Sequence, residues 1–118
     1  MKRDRLDALF SLYIRTRDRF TCQRCGASYP PKHTGLHAAH IIGRGRISVR
    51  WHSPNAITLC YGCHRWLDTH PDVKEQWVRM RFGDAAYDDL QVHARATVKV
   101  DRQAVRDWLT KSLRDLDA

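Results

Sequence analysis

Apolar positions recur with two different periods along the 118 residues of the chain, and the changes of period divide it into elements. Over residues 7 to 17, Leu9, Leu12, Tyr13 and Ile14 fall near helical spacing, which predicts an N-terminal helix able to lie across the segment that follows. Residues 36 to 42 read as a strand, with His37 and Ala39 on one face and Ala38 and His40 on the other. Gly43 and Gly45 break it, and residues 47 to 51 can supply a short return strand before a loop that ends at Pro54 and Asn55. After the apolar run 57 to 59 a helix is expected from the Cys60 region through about Thr69, stopped before Pro71.

Three further helices follow from the terminal signals. Pro71 sits in the first turn of one that ends at Gly83, and Asp84 can cap another through about His93. Asp101 can cap the last, in which Val105, Trp108, Leu109, Leu113 and Leu116 form one apolar stripe that either covers the rest of the molecule or pairs with a second copy. Trp66, Trp77 and Trp108 are expected in the core. The order of elements predicts an α+β fold in one domain: an N-terminal helix at 5–19, a core at 20–70 and a helical part at 71–118. A chain of this size buries a core but gains much from a structural metal.

Charge points to the partner. Lysine and arginine total 21 against 13 acidic residues, a net charge of +8, which suits a polyanion such as nucleic acid. No stretch approaches the roughly 20 apolar residues that span a bilayer, so no membrane role is expected. The first twenty residues, with Arg15, Arg17 and Asp18 where a secretory segment would be apolar, do not read as a signal peptide. A cytoplasmic protein is expected, in a reducing compartment where four cysteines do not form stable disulfides.

Cys60 and Cys63, followed by His64, have the order of a haem-attachment pattern, of a redox dithiol, or of half a zinc site. The lack of an export route argues against haem, and the lack of a βαβ setting argues against dithiol chemistry. A second pair, Cys22 and Cys25, favours a four-thiolate structural Zn2+ site, its first pair on a tight knuckle and its second at a helix start. Pairs in a zinc ribbon are about 15 to 20 residues apart, whereas 34 residues separate Cys25 from Cys60 here. The insert carries the candidate chemistry.

His40, Asn55 and His64, with the closing Cys60-x-x-Cys63-His64, resemble the HNH nuclease family and its ββα-metal active site; the intervals of 15 and 9 positions match that family's layout. The segments "LFSLYIRTRDRFTCQRCG" and "AAHIIGRG" further resemble small phage-type HNH proteins of the recombination-endonuclease kind, and the resemblance spans about two thirds of the chain. It implies a ββα unit clamped by the four-cysteine zinc and flanked by helices, a bacterial or phage-infected cytosol, and metal-dependent hydrolysis of DNA to 5'-phosphate and 3'-hydroxyl ends.

The resemblance also assigns roles. His40 would be the general base, Asn55 would fix the loop and orient the base, and His64 would hold a catalytic divalent ion such as Mg2+ or Mn2+. Asp68, one turn after His64, is a candidate second ligand or else a surface partner of Arg65. Many HNH proteins carry an aspartate or histidine ligand immediately before the base, where this chain has Ala39. His37, on the same strand face, is the candidate substitute; otherwise phosphate oxygens and water complete the shell. Arg44, Arg46 and Arg50 could hold phosphates of double-stranded or branched DNA, with Trp51 and His52 adding flat surfaces. The rival expectation is a zinc-stabilised DNA-binding module without catalysis.

Overall fold

The computed structural model describes residues 2 to 117. Among them, six helices surround one antiparallel pair of strands: α1 (Arg5–Arg17), β1 (Leu36–His40), α2 (Ile47–Arg50), β2 (Ala56–Cys60), α3 (Tyr61–Asp68), α4 (Pro71–Phe82), α5 (Asp84–Ala94) and α6 (Arg102–Asp117), with a 3-10 turn at Ser53–Asn55. The fold is α+β, as expected. No helix is long and apolar enough to cross a membrane.

A reciprocal capping box starts α1: the Asp4 carboxylate accepts from the Asp7 amide and the Asp7 carboxylate from the Asp4 amide. Leu6, Phe10 and Ile14, four residues apart, form its buried ridge, while Leu12 is exposed. The expected stripe through Leu9, Leu12, Tyr13 and Ile14 is therefore rotated around the helix, because α1 packs on the sheet and on α6 rather than chiefly across the cysteine knuckle. Its end is tied to β2 by Asp18, whose side chain accepts from the Thr58 amide at 2.9 Å.

The register sets Leu36 opposite Cys60 and His40 opposite Ala56, so the cysteine end and the His40 end of the sheet lie apart. Cys60 ends β2 and caps α3, its Sγ accepting from the Cys63 amide at 3.4 Å. Helix α3 then packs against both strands, placing Cys63 and Leu67 in a cluster with Cys22, Ala39, Ile57 and Leu59. At the other end Asp101 caps α6, and Leu109 is buried against α1. The stripe of α6 thus packs against α1; Trp108 and Leu116 at its margins remain exposed.

Four local expectations are corrected. The region from Ile47 is a helical turn, not a return strand: every residue of β1 is paired with β2, and Val49 is buried instead against Leu90 and Ala94 of α5. β1 itself stops at His40, since the Ile41 amide turns to the Asn55 carbonyl. Asp84 is the first residue of α5, not its cap, because its carboxylate pairs with Arg79. Trp66 and Trp108 are exposed rather than core; Trp66 is flanked by the Arg24 guanidinium at 4.3 Å and the His70 ring at 4.5 Å, whereas Trp77 packs at the margin of the core.

Candidate functional site

The two cysteine pairs converge from opposite ends of the insert. Around Cys22 and Cys25 the chain folds back on itself: the Cys22 amide bonds to the Ala27 carbonyl, the Gly26 amide to the Cys22 carbonyl, and Gly26 has the positive φ of 79° that a residue with a Cβ rarely adopts. The Gln23 amide reaches the Thr58 carbonyl at 2.9 Å, which brings the knuckle to the end of β2 where Cys60 begins the second pair. One ligand atom from each of Cys22, Cys25, Cys60 and Cys63 lies within 4.8 Å of the others, and none of the four is in a disulfide.

A tetrahedral zinc with Zn–S bonds near 2.3 Å needs sulfurs about 3.8 Å apart, and Cys25 and Cys60 stand 3.9 Å apart. The set could hold a metal ion and is consistent with a structural zinc. Burial opposes ionisation of Cys22, yet the amides of Cys25, Cys60 and Arg24 outweigh it and bring that thiol down to about 6. Burial pushes the Cys63 thiol up to about 12. Without a cation the four sulfurs cannot all be thiolates; a bound divalent ion removes that conflict.

A second group lies along β1, α1 and α3, lining a cleft of about 740 Å³ that contains His37, His40, His64 and Asp68. His40 Nε2 is 2.8 Å from the Arg50 carbonyl, which can only accept, so Nε2 carries the proton and Nδ1 keeps its lone pair. Burial is the main cause that lowers the His40 pKa, followed by the opposing carbonyl bond and the Arg44 charge. The ring packs beside Phe10, centroids 5.6 Å apart.

His37 and His64 face each other, Nδ1 to Nδ1, at 2.9 Å. On the opposite edge of the His64 ring, Nε2 is 3.2 Å from Asp68 Oδ2, and Asp68 Oδ1 accepts from Lys74 at 2.9 Å. Burial lowers the His64 pKa, with Asp68 pulling it back up. Asp68 thus meets the imidazole at its Nε2 edge, and His37 meets it at Nδ1. The partners of Asp68 are His64 and Lys74; Arg65 bonds the Tyr61 hydroxyl instead. Among the described residues, the four cysteines are the only group of three or more histidine, cysteine or carboxylate ligands close enough to share a metal.

Asn55 is fully buried and closes the loop after β1. Its Nδ2 donates to the carbonyls of Ile42 and Val49, and its Oδ1 accepts from the Ile42 amide, all within 2.9 Å. The loop so clamped ends in Arg50, whose carbonyl holds His40.

The three arginines assigned to phosphates separate. Arg46 is exposed and Arg44 lines the cleft, 3.7 Å from Asp7. Arg50 is buried, with Nε and Nη2 both on the Asp7 carboxylate, and so is withdrawn from the surface available to a ligand. Trp51 is buried as well, donating through Nε1 to Asp7, and only the half-buried His52 ring, stacked on His93, is left of the expected flat surface. The cleft gains cations that the sequence pattern did not single out: Arg3, Arg15, Lys32 and Lys74. The available signal was the four-residue interval of Asp7, Ser11 and Arg15, one ridge of α1. No protein-family model, curated protein or solved structure matches this chain.

Proposed function

We propose that the chain is a metal-dependent DNA endonuclease of HNH type, stabilised by a structural zinc on its four cysteines. The observation that carries the reading is the tautomer of His40: its Nε2 proton is committed to the Arg50 carbonyl, which leaves Nδ1 basic, and His40 lines the same cleft as His37 and His64. A neutral imidazole held this way can take a proton from an attacking water as that water adds to a phosphodiester. Asn55 and the Asp7–Arg50 pair keep the carbonyl in place, so they position the base without touching the substrate.

His64 and His37 are the candidate holders of a catalytic divalent ion. Their Nδ1 atoms, 2.9 Å apart, fit neighbouring corners of an octahedron with bonds near 2.1 Å, which are about 3.0 Å apart. Such an ion would supply positive charge at the phosphate and at the departing 3'-oxygen. Ala39 lies in the core under α3 and offers no ligand, which makes His37 the natural partner of His64 in this reading.

Incubating plasmid with the zinc-loaded protein and magnesium, manganese, cobalt or nickel tests the proposal: nicking supports it, and a band shift without cleavage under every metal favours the non-catalytic DNA-binding module instead. His40→Ala is expected to lower cleavage at least about a hundredfold while zinc content and DNA affinity persist. Undiminished cleavage by a clean preparation of that variant removes His40 from the mechanism.

Because burial lowers the His40 pKa from 6.5, the basic form dominates at neutral pH. The single-turnover rate should stay level from pH 8 to below 6.5 and fall only as pH drops through the depressed value. An acid limb centred above 6.5 that His40→Ala leaves unchanged would assign that titration to another group.

A further inference from the structure

The cleft contains cations that its own acids do not neutralise. Asp7 is engaged by Arg50, Trp51 and Arg44, and Asp68 by His64 and Lys74. Arg3, Arg15 and Lys32, lining the same cleft, have no ion-pair partner among the described residues.

Arg15 is the informative member. Its Nε donates to the carbonyl and hydroxyl oxygens of Ser11 one turn earlier, both at 3.2 Å, and its Nη1 reaches the Pro31 carbonyl at 3.4 Å. These neutral acceptors orient the guanidinium without cancelling its charge, and Nη2 is left to donate elsewhere. Burial and the nearby charge of Arg3 make the Arg15 cation less favourable than one in water. An arginine fixed in place, crowded by a second arginine and given no carboxylate is arranged for an anion that arrives from outside.

We infer that Arg15, with Arg3 and Lys32 beside it, forms a phosphate subsite on the α1 side of the cleft, which takes a backbone phosphodiester of the DNA strand next to the one at His40. The inference rests on the proposed nuclease reading and deepens it, since it names where the strand lies: along the ridge of Asp7, Ser11 and Arg15, in the cleft that Asp68 and Lys74 also line. It assigns the anchoring of the strand to α1 and the 30s loop and takes Arg50 out of that role. A contact of this kind positions the strand and does not read its sequence.

The test measures binding of a fluorescent short duplex by anisotropy over a series of salt concentrations, in a His40→Ala background so that the probe stays intact. Arg15→Ala is expected to weaken binding about tenfold and to reduce the magnitude of the salt slope by about one, as loss of one phosphate contact does. Arg15→Lys keeps the charge but loses the fork, and should recover part of both. Arg3 is exposed and has no ion-pair partner among the described residues, so Arg3→Ala should leave the fold intact and reduce the slope as well. Zinc content and melting temperature are followed in each variant.

A parent protein that binds DNA with the same affinity and slope as both alanine variants overturns the subsite but leaves the nuclease reading standing. A parent that neither binds nor cuts any DNA overturns both. Lowered affinity in Arg15→Ala with an unchanged salt slope, together with no effect of Arg3→Ala, would make Arg15 a staple between α1 and the Pro31 loop and also overturn the subsite.

Discussion

Asp7→Ala is expected to destabilise the protein by about 3–5 kcal/mol, the range for removing one partner of a buried ion pair. Asp7 and Arg50 are 4% and 7% exposed, and the Asp7 carboxylate accepts from Arg50 Nε at 2.9 Å, from Trp51 Nε1 at 3.0 Å and from the Asp4 amide at 2.9 Å. Alanine leaves the guanidinium charged and buried, the indole N–H without its acceptor, and one half of the capping box of α1 missing. Asp4, 3.7 Å from Arg50, compensates in part and argues for the lower half of the range. Urea unfolding of parent and variant measures the difference; a loss under about 1 kcal/mol, the scale of an exposed pair, would contradict this account.

The same carboxylate makes an acid-sensitive bond. Burial opposes the charge on Asp7, but Arg50, the Asp4 amide and Trp51 outweigh it and hold the pKa far below its usual 3.8. A carboxylate with a depressed folded pKa contributes stability that is present above the unfolded value and lost as pH falls through the folded one. The parent should therefore lose stability below about pH 4 more steeply than Asp7→Ala does. Replacing the pair together, as Asp7→Leu with Arg50→Met, removes the uncompensated charge and should recover much of the stability lost by Asp7→Ala. Because the Arg50 carbonyl holds His40, the pair also connects the core to the proposed base.

The parts of the molecule legible in the sequence are those governed by near neighbours. Pro71, Gly83 and Asp101 mark helix ends by local backbone chemistry, and the corresponding ends occur in α4 and α6. The spacing of Cys22, Cys25, Cys60 and Cys63 implied a common cluster, and the cluster forms. What was not legible depends on partners far along the chain. Arg50 looks like any cation of a basic loop until Asp7, 43 residues earlier, is found against it. The apolar pattern after Ile47 fits a strand equally well, and the outcome is decided by β2 taking the whole edge of β1 and by α5 accepting Val49. The position of Asp68 at the Nε2 edge of His64 follows from Lys74 on the next helix, which no spacing rule within α3 contains.

Loss of metal from the four cysteines is expected to have the largest effect of any single change. Cys22 and Cys63 are buried in the same cluster as Ala39, Ile57, Leu59 and Leu67, so the site is continuous with the core beneath α3. Other described contacts join the knuckle to the sheet through the Gln23 amide on Thr58 and to α3 through the Arg24 guanidinium, 3.5 Å from Cys63 Sγ and over the Trp66 ring. Structural zinc contributes roughly 10 to 16 kcal/mol of binding energy in small zinc-finger peptides, energy that exists only in the folded state. Purified protein is expected to contain one zinc per chain, and a chelator strong enough to remove it should abolish the cooperative thermal transition. Cys60→Ser should act in the same direction through loss of the candidate ligand alone, since a serine hydroxyl can still cap α3. Zinc binding must release protons, and most sharply from Cys63, whose thiol lies near 12 when no metal is bound; zinc affinity should therefore fall as pH is lowered, because protons compete for the sulfurs. Elemental analysis, together with melting curves of the parent and Cys60→Ser with and without chelator, checks each of these steps. Protein purified without zinc that melts as the metal-loaded form does would show that the hydrophobic core alone holds the cysteine pairs together.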